Sequence, residues 1–227
     1  ISSATFPLGV SYVMSYAMQE LGAEFDFRLF KFPADLEQAI SAQLPQMLCF
    51  SNYSWNFELA YKIASLSKNR DPDLIVVFGG PNFPTLGNEK LEFLSNRPAI
   101  DFYVELEGEL GLVDLIQRLV KYDFNRRQFI SSKEMALNTS YIRDGELCSG
   151  AIERIQNLED IPSPYLTGVL DPFFELPLVP MLETTRGCPF SCTFCADGIL
   201  SKNKVYRYSN ERTRDELAYI ATRVKDV

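Results

Sequence analysis

At 227 residues, 46% of them apolar, the chain can bury a proper core, and its composition excludes a disordered protein. Its 22 basic and 30 acidic residues leave a net charge of −8, which repels a phosphate backbone and argues against nucleic acid as a partner. There is no histidine, so Ser-His-Asp and Cys-His catalysis within the chain are excluded, and a zinc site would have to be all cysteine or cysteine with carboxylate.

From the start to about residue 121, short β-rich runs alternate with amphipathic stretches. Gly9–Leu21 reads as a helix closed by Gly22, Phe25–Phe30 as a strand, Ala34–Leu44 as a helix and Met47–Ser51 as a short apolar strand. Phe57–Leu66 follows as a helix with Leu59, Ile63 and Leu66 on one face. Leu74–Phe78 is a continuous apolar run, the pattern of a strand buried on both faces. Asn88–Leu94 reads as a short helix, Phe102–Val104 as a strand and Gly111–Val120 as a helix. This βαβα rhythm predicts an α/β domain over residues 1–125, a doubly wound, flavodoxin-like or Rossmann-like parallel sheet. Such folds begin with a strand, whereas this chain opens in a loop before a helix, so the sheet is expected to lack its first strand.

The pattern then changes. Residues 126–178 are read as a hairpin and a linker: Tyr141–Leu147 turns at Asp144-Gly145, and Pro162, Pro164, Pro172 and Pro177 predict an extended crossing of a surface. Residues 179–227 read as strand Val179–Thr185, a cysteine loop and helix Thr213–Val224. That helix has capping-box spacing at Thr213 and Glu216 and an apolar stripe of Leu217, Ile220, Ala221 and Val224. One strand, loop and helix cannot bury a core alone, so this segment is expected to be the first unit of a truncated barrel. No apolar run approaches the roughly 20 residues of a membrane-spanning helix, and no signal peptide is visible at Ile1. Five cysteines, three of them crowded together, do not suggest a secreted disulfide framework, and the expectation is a cytoplasmic protein with no membrane partner.

The crowded cysteines are Cys188, Cys192 and Cys195, in Cys-x-x-x-Cys-x-x-Cys spacing. Thiolates are the usual ligands of iron–sulfur clusters, which normally take four, so three from one loop leave one iron open to another ligand. Gly187 and Pro189 suit the tight curl that convergence demands, and Phe190 and Phe194 would wall such a cluster from water. Zinc lacks a fourth cysteine nearby, and Cys192 with Cys195 alone could form a redox dithiol. The run Thr185-Arg-Gly-Cys-Pro-Phe-Ser-Cys-Thr-Phe-Cys195 resembles the signature loop of the radical S-adenosylmethionine (SAM) superfamily. The resemblance implies a 4Fe-4S cluster on the three cysteines, with S-adenosylmethionine at the open iron. It further implies reductive cleavage to a deoxyadenosyl radical, a β/α barrel, and an external electron donor of flavodoxin or ferredoxin type.

In α/β sheets, ligands bind beyond the carboxyl ends of the strands. Three such ends stand out: Ser51-Asn52-Tyr53-Ser54-Trp55-Asn56, then Gly79-Gly80-Pro81-Asn82-Phe83-Pro84, then Glu107-Gly108-Glu109. Ser51 and Asn52 offer hydrogen bonds, Tyr53 and Trp55 flat apolar area, and the glycine pair close approach to the backbone. Each turn taken singly also fits an ordinary strand-to-helix connection, and Glu109 suits any helix N-terminus. Taken together, with Leu158–Tyr165 as a linker, they resemble the cobalamin-binding domain that precedes the barrel in cobalamin-dependent radical SAM enzymes. Methionine-synthase-type modules bind cobalt through a histidine, which is absent here.

The resemblance implies methyl transfer to an unactivated carbon of a small-molecule substrate, with residues 1–227 alone expected to be inactive. A radical cyclase or rearrangement enzyme, a methylthiotransferase, and a non-catalytic flavodoxin-like module with a structural metal loop are the alternatives.

Overall fold

The computed structural model describes residues 4–193, 195 and 204–224. The chain divides into two compact units, Phe30–Arg154 and Ser2–Leu29 together with Ile155–Val227. This division departs from the bounds 1–125, 126–178 and 179–227. The hairpin joins the sheet of the first unit, and the first helix is grouped with the C-terminal segment.

The first unit is a five-stranded mixed sheet with helices on both faces. Its strands are β1 (Met47–Ser51), β2 (Ile75–Gly79), β3 (Phe102–Val104), β4 (Thr139–Arg143) and β5 (Glu146–Ser149), hydrogen-bonded in that order. The first three are parallel, and the last two add an antiparallel hairpin to the β3 edge. Strand order follows chain order throughout, so the reversal that defines a doubly wound sheet does not occur among the described residues: the edge beside β3 is taken by the hairpin. The hairpin turns at Asp144 (φ 52°) and Gly145 (φ 80°), the positive-φ pair of a type I′ turn, as the Asp-Gly signal predicts.

The helices of this unit are α2 (Pro33–Ala42), α3 (Phe57–Arg70), α4 (Gly87–Ser95), α5 (Gly108–Val120) and α6 (Arg126–Ser131); α1 (Leu8–Leu21) belongs to the second unit. On one face of the sheet, Leu48, Val76, Phe78 and Tyr103 pack with Ile40 of α2, Phe57, Ala60 and Ala64 of α3, and Leu94 of α4. On the other, Phe102 meets Phe129 of α6 edge-on at 5.5 Å. α5 buries Leu112, Leu115, Ile116 and Leu119. Each such burial removes apolar area worth about 1.5–3 kcal/mol from water. Gly111 is required here, since a Cβ would lie 2.5 Å from Val104 Cγ1. α6, which the sequence reading passes over, is only six residues long and is held by Asn125, whose Oδ1 accepts from the Gln128 amide at 3.1 Å. Phe25–Phe30 forms no strand: no described strand lies alongside to take up its hydrogen bonds.

In the second unit, residues 156–180 are not an extended surface linker. They fold through two 3₁₀ turns, Leu158–Asp160 and Asp171–Glu175, and bury Leu158, Ile161, Tyr165, Leu170 and Phe173. The prolines punctuate a packed segment instead of stiffening a free one. Of the expected strand Val179–Thr185, Val179 makes a lone bridge to Thr5, and pairing begins only with β6 (Thr185–Arg186) against β7 (Tyr206–Arg207). α7 spans Asn210–Ala221 and is capped by Ser209, whose hydroxyl accepts from the Arg212 amide, so the Thr213–Glu216 capping box does not form. Its expected apolar stripe is also displaced. Leu217 is 53% exposed, whereas Arg212 and Glu216 are buried and paired at 3.1 Å. Arg212 stacks on Tyr208 and donates to the carbonyls of Leu158 and Ile161, and these contacts, with the Glu216 pair, anchor the helix where apolar residues were expected to, although one guanidinium nitrogen, Nη2, is buried without a hydrogen-bond partner. No helix among the described residues is long and apolar enough to cross a membrane.

Candidate functional site

Parallel pairing places Ser51 opposite Gly79 and Gly79 opposite Val104, so the three strands end in one row. The turns that follow, Asn52–Asn56, Gly80–Pro84 and Glu105–Gly108, therefore leave the same edge side by side. All three sequence-predicted turns are brought together there.

In the first turn, Asn56 closes the loop: its Nδ2 donates to the Ser51 carbonyl and its Oδ1 accepts from the Tyr53 amide, both at 2.8 Å. The closed loop presents two stacked rings, Tyr53 and Trp55, 4.6 Å apart and 11° from parallel. Trp55 is 57% exposed. A large indole open to water beside a strand edge is the kind of apolar surface that a ligand covers.

Asn52 serves differently from what its sequence position suggests. It is fully buried, and both amide hydrogens are used internally: Nδ2 donates to the Asn82 carbonyl at 2.8 Å and to the Tyr103 hydroxyl at 3.0 Å. Its Oδ1 accepts from Asn82 Nδ2. Its side chain therefore has no donor left for a ligand. The glycines also answer to the protein's own backbone. Gly80 has φ +123°, and a Cβ there would lie 2.7 Å from the Asn52 carbonyl oxygen; one on Gly79 would lie 3.2 Å from that of Val104. Gly80 and Pro81 nonetheless remain exposed on the outer side. Gly80→Ala is expected to cost about 1–3 kcal/mol in urea unfolding, through a strained φ and this clash. Gly87→Ala, at a position with open space, should stay within about 0.5 kcal/mol.

In the third turn, Leu106 takes a positive φ of 54° and Gly108 opens α5. Glu107 and Glu109 are both 3% exposed, and Glu107 accepts from Arg154 at 3.0 Å. Its carboxylate is thus committed to an internal ion pair and not offered at the edge. Glu105 beside it accepts from Lys90 at 2.6 Å and from the Ser140 hydroxyl at 2.7 Å.

Three residues that sequence reasoning missed carry this geometry: Asn56, Asn82 and Tyr103. The asparagines lie within the turns already singled out. Tyr103 had a legible signal, a phenol in the middle of an otherwise apolar strand, which must find a partner when buried. Burial raises its pKa above the ordinary tyrosine value, so the group stays a neutral O–H donor.

The cysteine loop is less assembled. Cys188 is partly exposed, Cys192 and Cys195 are exposed, and no cysteine of the chain is in a disulfide. The Cys195 amide donates to the Cys192 carbonyl at 3.2 Å, and Gly187 adopts the positive φ (103°) expected of a tight turn. Among the described residues, no three histidine, cysteine or acidic side chains are gathered as a metal group. The donor chemistry suits an iron–sulfur cluster, but the ligand geometry is not formed. Phe190 is 67% exposed; Phe194 lies outside the described residues.

For cobalamin, the open Tyr53–Trp55 surface beside exposed Gly80 and Pro81 fits a flat macrocycle laid on the strand edge. A histidine ligand to its cobalt has no counterpart in this sequence.

Comparison with known proteins identifies the family. The B12 binding domain family matches residues 1–116. A 2-(S-pantetheinyl)-carbapenam-3-carboxylate methyltransferase of Streptantibioticus cattleyicolor is 33% identical, over 95% of this chain and 32% of its own length. The cobalamin-dependent radical SAM methyltransferase TokK of Streptomyces tokunonensis is 32% identical over the same shares. This chain thus spans about a third of the length of these curated relatives. Among solved structures, the cobalamin-dependent S-adenosylmethionine radical enzyme OxsB, with aqua-cobalamin and S-adenosylmethionine bound, superposes with TM-score 0.67. It is 23% identical, over 95% of this chain and 29% of that one, a likeness of fold. The resemblance to cobalamin-dependent radical SAM enzymes, read from the cysteine loop and the three turns, is borne out by these relatives.

Proposed function

We propose, because the chain belongs to the B12-binding domain family, that its three-strand edge holds cobalamin and that it serves a radical SAM methyltransferase acting on a small molecule. The observation that carries the reading is the exposed Tyr53–Trp55 stack set beside the in-register ends of β1, β2 and β3. Bound there, cobalamin would supply a transferable methyl group. The chain's own residues do the positioning. Trp55 and Tyr53 offer a flat apolar floor that excludes water, Asn56 fixes the loop that carries them, and Ser51, Gly80 and Pro81 border it. With no histidine among its 227 residues, the chain would offer bound cobalamin no imidazole ligand.

Cys188, Cys192 and Cys195 are proposed as ligands of a 4Fe-4S cluster that binds S-adenosylmethionine and is reduced by an external flavodoxin- or ferredoxin-type donor. Support comes from their spacing and from the radical chemistry named in the TokK relative. Gly79, Gly108 and the buried carboxylates of Glu107 and Glu109 shape the edge and do not touch the cofactor.

The test is an absorbance titration of the chain with hydroxocobalamin. Trp55→Ala should weaken binding about tenfold, the loss of roughly 1.4 kcal/mol of stacked and buried area, and Trp55→Phe should recover part of it. Absence of any spectral change, with no cobalamin retained through gel filtration, would sink the cofactor reading.

A further inference from the structure

Beneath the edge, three elements that are distant in sequence meet at one phenol. Tyr103 is fully buried in β3. Its hydroxyl donates to the Gly80 carbonyl at 2.8 Å and accepts from Asn52 Nδ2 at 3.0 Å. The same Asn52 amide reaches the Asn82 carbonyl, while Asn82 returns a side-chain bond to Asn52 Oδ1 and its backbone amide donates to the Asn52 carbonyl at 3.2 Å. The Asn52 amide in turn donates to the Gly79 carbonyl at 2.6 Å. Phe83, from the second turn, lies flat on the Tyr103 ring at 3.8 Å and 9°. The Asn52–Asn56 and Gly80–Pro84 turns are therefore not two independent loops. They are cross-linked reciprocally and pinned from below by a hydroxyl of the third strand.

We propose that Tyr103 is a positioning residue that makes these two turns one rigid surface, and that this preorganisation sets the affinity of the edge for cobalamin. The proposal rests on the cobalamin reading above. Tyr103 has no exposed surface and touches no ligand; it acts through Asn52 and Gly80. Its contribution comes from removing the loop-ordering cost that binding would otherwise carry. Removing the hydroxyl leaves the Gly80 carbonyl without this donor and the buried Asn52 Nδ2 without one acceptor. The two turns then lose their common anchor while the strands keep their ladders.

The experiment compares the unaltered chain with Tyr103→Phe, and with Leu94→Ala as a core variant away from the edge. Leu94 is 3% exposed on α4. Tyr103→Phe is expected to weaken hydroxocobalamin binding about tenfold and to speed amide exchange of residues 52–56 and 80–84 while β1 and β2 stay protected. Leu94→Ala should lower the melting temperature at least as much, yet leave affinity within about twofold. Equal affinity of Tyr103→Phe and the unaltered chain overturns the inference alone. So does a Leu94→Ala loss as large as that of Tyr103→Phe, because general destabilisation would then explain both. Failure of the unaltered chain to bind hydroxocobalamin overturns the cofactor reading and this inference with it.

Discussion

Asp101→Ala is expected to cost about 3–5 kcal/mol of stability, a large share of the roughly 5–15 kcal/mol that holds a domain folded. Asp101 precedes β3, and its side chain is 6% exposed. It accepts from Lys68 of α3 at 2.6 Å, from Arg126 of α6, and from the Val76 amide of β2 at 2.8 Å. One carboxylate thus ties two helices and a strand. Truncating it strands two largely buried cations and an N–H with no acceptor, and that uncompensated charge is what costs stability, more than the lost attraction. The contrast is informative: Asp101→Leu combined with Lys68→Met and Arg126→Met removes both signs together and should recover at least half of the loss. Asp101 lies at the amino end of β3, opposite the candidate edge, so the fraction that remains folded should bind hydroxocobalamin with unaltered affinity. Urea unfolding gives the first quantity and titration below the transition the second. A single-variant loss under about 1 kcal/mol would show that the ion cluster is solvated in practice.

What the sequence allowed to be read, and what it did not, separates along physical lines. β1 and β3 are found where the apolar runs predict them, and β2 only one residue off; β2 and β3 are buried at nearly every position, as a continuous apolar run implies, whereas β1 buries only Leu48 and was legible from its short apolar run alone. α3 runs four residues beyond its predicted end at Leu66, since Ser67–Arg70 carry no apolar signal although Ser67 is buried. The edge was legible in outline because turn residues after strands are conspicuous. The duties of its members were not. Asn52, Gly80 and Glu107 all look like ligand contacts in a sequence, yet each is consumed by a partner from another strand or loop: Tyr103 and Asn82, the Asn52 carbonyl, and Arg154. Those partners lie 28 to 51 positions away in the chain, a separation that local pattern cannot reveal. α7 failed for the same reason. Its Leu217 stripe is an amphipathic pattern, but the carbonyls of Leu158 and Ile161 and the Glu216 carboxylate give Arg212 buried partners that local periodicity cannot foresee.

Replacing Cys188, Cys192 and Cys195 with alanine together is expected to abolish iron binding. After anaerobic reconstitution the unaltered chain should hold about four irons and about four sulfides, and the triple variant fewer than about half an iron. Cys148 is buried in β5 and Cys49 belongs to β1, each in the sheet unit, so alanine at either should leave iron content unchanged. The three loop thiols are not gathered among the described residues, although Gly187 already makes the turn that would let them converge. Cluster binding and convergence of the three thiols are then expected to be one event, as at other sites that are not preformed. It follows that reconstitution should slow tryptic cleavage at Arg186 and Lys204, which flank the loop, in the unaltered chain and not in the triple variant. Arg186 is already held to Glu183 at 3.0 Å, so any added protection reports on the loop beyond it. One zinc per chain with no sulfide would replace the radical reading with a structural metal loop. Iron retained without the three cysteines would mean that the spacing which first pointed to the cluster has nothing to do with holding it.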